Sequence, residues 1–338
     1  MNEFADRGSW PRGSNVSFIY LVPKIDNPQQ LSDFRPISLV GCLYKIVSKV
    51  LSLRLKKVIS KLIDTRQSAR DLLYSVLVAN EVLEKVNRRK NSCVYFKVDY
   101  EKAYDSVSWE FLYYMLGRLG LCEKWIIWIK SCLESSFVSV LVNGSPTSEF
   151  YPKRGLRQGD PLVSFLYLIV AEGLAGVVRK VVEKNLVQSL KVGVQKVKVN
   201  MLQYADETLF LCEANFKSVY NLKAIMLCFE LASGLGVDHT MIQQFAAILN
   251  CKVMKTPFKF LGLFVGGSHK RVAFWDSVPE SVKSMLGRWK CRFLSLAGRV
   301  CLIELVLSFI LFLYISMYKL PFVLLKEIEK IQRRFLWG

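Results

Sequence analysis

The sequence predicts an α+β fold on three observations. Residues 94–98 form a strand-like run that ends on Asp99, two further strand-like runs at 197–202 and 208–211 flank Asp206-Glu207 as the arms of a hairpin, and long stretches of helical period lie around them. Strands and helices in mixed order, rather than strict βαβ alternation, indicate an antiparallel sheet with packed helices.

Taken in order, residues 16–23 read as a strand, and residues 43–63 as an amphipathic basic helix with apolar positions at helical spacing. Residues 72–86 continue helical. The strand before Asp99 follows, and after it residues 109–119 and 125–133 are helical. Residues 138–142 then turn at Asn143-Gly144, a pair suited to the positive φ angles of a tight hairpin. Pro161 opens a long helix to about Lys184, since a proline at the first helical position loses no intrahelical hydrogen bond. After the Asp206-Glu207 hairpin, residues 275–284 and 288–299 are helical again.

Composition bounds the partners. Lys and Arg number 47 against 28 Asp and Glu, a net charge of +19, which favours a polyanionic partner through counterion release, or supplies a basic solubilising surface. The nine Cys lack any Cys-x-x-Cys pair and only His239 and His269 are present, so no zinc module is expected. Scattered thiols fit a reducing intracellular compartment, nuclear and/or cytoplasmic, and the first residues lack the apolar core of a signal peptide.

The acids carry the chemistry. One motif is Val98-Asp99-Tyr100-Glu101-Lys102-Ala103-Tyr104-Asp105 and the other Tyr204-Ala205-Asp206-Glu207. Carboxylates from separate strands converging on one point are what two-metal phosphoryl chemistry requires. Further blocks stand in order along the chain: Phe34-Arg35-Pro36-Ile37-Ser38-Leu39, Gly155-Leu156-Arg157-Gln158-Gly159-Asp160-Pro161-Leu162, Phe260-Leu261-Gly262, and the closing Gln332-Arg333-Arg334-Phe335-Leu336-Trp337-Gly338. With these blocks the chain resembles the reverse transcriptase of plant LINE-type non-LTR retrotransposons, almost end to end.

The resemblance implies a polymerase right hand: a fingers-like segment over 1–95 interleaved with palm, a palm with the metal site over 95–265, and a partial helical thumb or connector over 266–338. It implies RNA-directed DNA synthesis from an RNA template, a DNA primer and deoxynucleoside triphosphates, with Mg2+ or alternatively Mn2+. Asp99, Asp206 and Glu207 would be the catalytic acids and, with the main-chain oxygen of Tyr100, the metal donors. Tyr104 matches the ring that excludes a ribose 2′-OH, against an ordinary core aromatic as the other reading. Gln158 and Gly159 match the nucleotide contact at the base of the palm, and Arg35 and Lys24 the basic fingers positions that meet the triphosphate. Leu261 and Gly262 match the primer grip. Asp105 and Asp160 read as turn or cap acids.

Three departures from the family pattern imply impaired catalysis. Glu207 stands where the family has Asp, and its extra methylene displaces the carboxylate by about 1–1.5 Å, where a 1 Å error can cost about 10²-fold. After Arg66-Gln67-Ser68-Ala69 the family continues with an aromatic and a Gly-Arg turn, but this chain passes to Arg70-Asp71-Leu72. Where the family carries Asn-x-x-Lys-Ser, this chain reads His239-Thr240-Met241, and losing a general acid costs about 10²–10⁴-fold. With no endonuclease before this region and no zinc segment after it, a truncated, partly degenerate copy is the expectation, and a catalytically dead nucleic-acid-binding remnant is the alternative. The apolar run at 305–318 is short of the roughly 20 residues that a membrane span needs, so a buried thumb helix is expected there and no membrane partner.

Overall fold

A computed structural model of the chain describes residues 2–11, 13–25, 27–63, 72–89, 93–100, 102–192, 197–235, 249, 257–266, 274–287, 294–315 and 318–337. The elements in order are α1 (Asn2–Arg7), β1 (Val16–Pro23), a 3-10 turn (Leu31–Asp33), β2 (Phe34–Val40), α2 (Cys42–Leu62), α3 (Leu72–Arg89), β3 (Cys93–Asp99) and α4 (Ala103–Ser106). Next come α5 (Trp109–Arg118), α6 (Glu123–Glu134), β4 (Phe137–Val142), β5 (Ser145–Pro146), α7 (Val163–Glu183), β6 (Leu190–Val192), β7 (Val197–Val199) and β8 (Met201–Tyr204). The last are β9 (Glu207–Glu213), α8 (Phe216–Ser233), β10 (Phe258–Phe260), β11 (Leu263–Val265), α9 (Ser277–Gly287), α10 (Leu296–Ile315) and α11 (Phe322–Trp337). The chain divides into two compact units, one of residues 1–70 with 92–253 and the other of 71–91 with 254–338.

The first unit is built on two larger sheets and the short antiparallel pair β6-β7. The antiparallel sheet β3-β9-β8 turns Phe96 and Val98 of β3, Phe210 and Cys212 of β9 and Met201 of β8 into the main core, with Phe96 stacked on Phe210 at 6.1 Å. Alternation along a strand explains why these positions are apolar while Lys97 and Asp99 between them are not. Helices α5, α7 and α8 pack against one another and join the same core through Leu112, Ile169, Leu174 and Leu222. Gly173 on α7 lets Phe111 of α5 approach, since a Cβ there would come within 2.7 Å of the ring. The other sheet runs β2-β1-β4-β5, antiparallel except for the parallel pair β1 and β4.

Most elements stand where the patterns put them, and the differences have causes. Strand β2 contains Pro36, which cannot donate to a ladder, and it is accommodated because β2 is an edge strand. The run 197–202 is not one hairpin arm: β7 pairs with β6, whereas β8 pairs with β9, and the break falls at buried Asn200, whose carbonyl accepts from Leu211 N at 2.7 Å. Helix α7 begins at Val163 rather than Pro161, because Asp160 Oδ1 accepts from Leu162 N at 2.9 Å and holds the preceding turn. The departures at residues 66–71 and at 236–241, and the basic stretch 288–293, lie outside the described residues.

The second unit holds α3, the β10-β11 hairpin and α9 to α11. Asn80 on α3 accepts from Gly266 N at 2.9 Å, which ties the end of β11 to the helix. Trp275 is buried against Tyr314 at 5.8 Å and Phe274 at 5.4 Å. The apolar residues 305–315 continue α10, and among the described residues no helix is long and apolar enough to cross a membrane.

Candidate active site

Strand register brings the acids together. Asp99, the last residue of β3, lies directly opposite Glu207, the first of β9, and Tyr204 at the end of β8 is the other partner of Glu207. Directly opposed residues share a sheet face, and so do residues two apart on one strand, so Lys97, Asp99, Glu207 and Tyr204 share one face. Asp206 occupies the second position of the two-residue turn Ala205-Asp206. Ala205 has φ +50°, a left-handed conformation that costs an L-residue about 1–2 kcal/mol.

The electrostatics match that arrangement. Burial pushes the Asp99 carboxyl above the usual carboxylate range, the charges of Asp206 and Glu207 push it further, and the Lys97 ammonium opposes them. Lys97 Nζ also sits 3.4 Å from Glu207 Oε1, so the third acid is ion-paired to the lysine two residues before Asp99. Lys97 was legible by its strand period with Asp99 but carried no expected role.

Tyr104, Gln158 and Gly159 lie in the same unit. Tyr104 packs on Tyr167 with ring centroids 4.8 Å apart; its hydroxyl is pushed up by burial and then by the Asp206 charge. Gln158 Nε2 donates to both carboxylate oxygens of Asp105 at 3.2 Å, and Gln158 O accepts from Ser38 N at 3.0 Å, which docks this loop on the free edge of β2. Asp105 is thus a holder of Gln158, its own carboxyl raised by burial against the opposing Gln158 hydrogen bond and the charges of Lys102 and Lys24. Gly159 has φ +100°, a conformation that favours glycine, and a Cβ there would stand a tight 3.3 Å from Ser38 O. Gly155, at φ +86°, would put a Cβ 2.5 Å from Asp105 O.

Behind the loop lies a clamp that sequence reasoning missed. Arg157 donates to Asn15 Oδ1 and Ser17 Oγ, both at 2.9 Å, and to the Cys132 carbonyl, while its guanidinium lies 4.2 Å over the Tyr44 ring. The Tyr44 hydroxyl donates to buried Asp160. Gln158 and Gly159 are therefore gripped on both sides, by Arg157 before them and Asp160 after. The only sequence signal was the presence of polar residues inside an otherwise tightly turning loop.

Other expected residues are placed differently. Lys24 Nζ donates to Ser32 O at 2.9 Å, and its charge reaches Asp105. Arg35 is exposed, opposite Val22 on the β-sheet face that carries Phe18 and Tyr20, whereas Arg157 bonds Ser17 on the other face. Tyr100 has its ring buried and set edge-on to Phe229 at 6.2 Å, which leaves its main chain for the site. Leu261 and Gly262, in the second unit, form the two-residue turn of β10-β11 with φ +54° and +78°.

Among the described residues no three His, Cys, Asp or Glu side chains group closely enough to hold a metal ion, consistent with Glu207 being drawn to Lys97. Asp99 and Asp206 nonetheless feel each other's charge, and carboxylates with main-chain oxygen are the donors that a hard divalent cation takes. The carboxylates of Asp99, Asp206 and Glu207 are therefore of the donor type that fits such an ion, with Glu207 also paired to Lys97.

Comparison with known proteins identifies the family. Residues 22–265 match the family model described as "Reverse transcriptase (RNA-dependent DNA polymerase)". The transposon TX1 uncharacterized 149 kDa protein of Xenopus laevis is 26% identical over all of this chain and 27% of its own length. The retrovirus-related Pol polyprotein from the type-2 retrotransposable element R2DM of Drosophila melanogaster is 28% identical over 49% of this chain and 16% of its own length. The chain thus spans about a quarter or less of these relatives. A solved structure of telomerase from Candida albicans, in complex with a fragment of telomeric RNA, superposes with a TM-score of 0.52 at 15% identity, covering 95% of this chain and 60% of that one, which shows the polymerase right-hand fold. The chain belongs to the reverse transcriptase (RNA-dependent DNA polymerase) family, as a domain of the non-LTR retrotransposon kind.

Proposed function

We propose that this domain extends a DNA primer on an RNA template with deoxynucleoside triphosphates, within a plant LINE-type element and inside the cell, in the nucleus and/or cytoplasm, at a rate weakened by Glu207. The observation that carries the reading is the register of β3 against β9, which sets Asp99 opposite Glu207 with Asp206 beside it. Asp99 and Asp206, with the main-chain oxygen of Tyr100, would hold Mg2+ or Mn2+; bound there, the ion supplies charge neutralisation for the phosphoryl oxygens and a more acidic primer hydroxyl.

The chain's own residues do the rest. Tyr104, braced by Tyr167, presents a bulky edge beside Asp206 that closes the space a ribose 2′-OH would need. Gln158, held by Asp105 and the β2 edge, positions the incoming nucleotide, and Gly159 keeps the backbone close to it. Lys24, whose charge reaches Asp105, and Arg35 supply cations to the triphosphate. Leu261 and Gly262 grip the primer end through their main chain.

A second reading, a binding remnant without turnover, is favoured by the Lys97 to Glu207 ion pair, which occupies the third acid. Primer extension on an RNA template with Mg2+ or Mn2+ separates the two. Little or no extension is expected from the chain as it stands, with recovery by Glu207→Asp of up to about 10²-fold and no product from Asp99→Ala. Silence in every variant with RNA binding retained would sink the polymerase reading in favour of the remnant.

A further inference from the structure

Helix α2 shows two faces. Tyr44, Val47, Leu51, Leu55 and Ile59 are buried, with Ser48 and Ser52 between them. On the opposite side Leu43, Ile46, Val50 and Leu53 are 37%, 54%, 41% and 50% exposed. Their spacing is three, four and three residues, the seam pattern of a helix that packs against another helix, and Lys57 continues it. Lys45, Lys49 and Lys56 border the seam on one side, Arg54 and Lys61 on the other, and the 21-residue helix contains no acid.

We propose that this face of α2 is a docking surface for an acidic amphipathic helix of a partner. An aliphatic seam flanked by cations is complementary to an aliphatic seam flanked by carboxylates, and seam and flanks are both needed to explain the residues present. A second copy of α2 fits poorly in either orientation, because lysine would face lysine along both borders. Phosphate backbone would use the cations and leave four exposed aliphatics in water. A lipid surface takes a broader apolar face with aromatic side chains, and this narrow seam carries none. The seam from Leu43 to Lys57 spans roughly 20 Å at 1.5 Å per residue, enough for about two heptads of contact.

The test uses the full chain and three labelled probes: a synthetic peptide with leucine at the seam and glutamate at its borders, a short single-stranded RNA, and anionic phosphatidylserine vesicles. Binding of the acidic peptide is expected, falling at least about tenfold in Ile46→Ser/Val50→Ser and again in Lys49→Glu/Lys56→Glu. The latter variant should instead gain binding to a peptide with lysine borders. Each altered position is exposed, and unchanged thermal unfolding of the variants would confirm that the fold persists. No binding of the acidic peptide, or binding that Ile46→Ser/Val50→Ser leaves unchanged, overturns the proposal. Loss of RNA or vesicle binding in Ile46→Ser/Val50→Ser without any peptide binding overturns it too, in favour of the ligand lost.

Discussion

Two hairpin turns of this chain, Ala205-Asp206 between β8 and β9 and Leu261-Gly262 between β10 and β11, solve one geometric problem differently. Each closes an antiparallel pair with two residues, and each puts a residue with a side chain into the left-handed region at its first position, Ala205 at φ +50° and Leu261 at +54°. The second turn follows with glycine at φ +78°, the residue a primed turn favours, whereas the first follows with an acid. The difference teaches that the second turn position gives up glycine where an acid stands at the site, while both turns carry the same left-handed cost at the first position.

Exchanging the features of the two turns tests this, and the largest effect should be on catalysis. In a Glu207→Asp background that extends primer, Asp206→Gly is expected to reduce extension by at least about 10²-fold while lowering stability by no more than about 1 kcal/mol, the entropy that glycine adds to the unfolded chain. A fall in stability comparable to the loss of activity would break the comparison. Next in size, Gly262→Ala should destabilise the second unit by about 1–2 kcal/mol, read in denaturant unfolding. Among the described residues other than its chain neighbours nothing lies within 4 Å of the added Cβ, so the backbone conformation would be responsible.

Smaller still, Ala205→Gly should stabilise by up to about 1 kcal/mol, less the entropy a glycine adds to the unfolded chain, a shift of a few degrees in thermal unfolding. The least effect concerns pH. The folded chain raises the Asp99 carboxyl, first by burial and then by Asp206 and Glu207, so the folded state binds that proton more tightly than the unfolded one and Asp99 destabilises the metal-free chain once ionised. Asp99→Asn should therefore be the more stable protein at neutral pH without metal. Its advantage should shrink as pH falls through the carboxylate range, where the native aspartate becomes protonated, and an advantage that grows on acidification would contradict this assignment.

Much of the scaffold was legible because it rests on periodicity. Strand β1 and helices α2, α3, α5 and α6 follow from where apolar residues recur, and Asp99 could be placed at a strand end from residues 94–98 alone. Less legible was whatever depends on partners distant in sequence. The break at Asn200 follows from β7 choosing β6 and β8 choosing β9, and nothing local in residues 197–202 distinguishes those pairings. The Arg157 clamp joins Asn15, Ser17, Tyr44 and Cys132, more than 100 residues away in three of the four cases.

What the sequence by itself determined here is the alternation of side chains on β3 and β9, the acids that end or begin them, and the ordered motifs of a reverse transcriptase, because each depends only on local period and residue chemistry. Tertiary structure decided which of those acids face one another and which is drawn to Lys97. It also decided that Gln158 is held by Asp105 and the β2 edge. Register and loop docking are set by the joint burial of many side chains at once, a condition that no single segment of the chain contains.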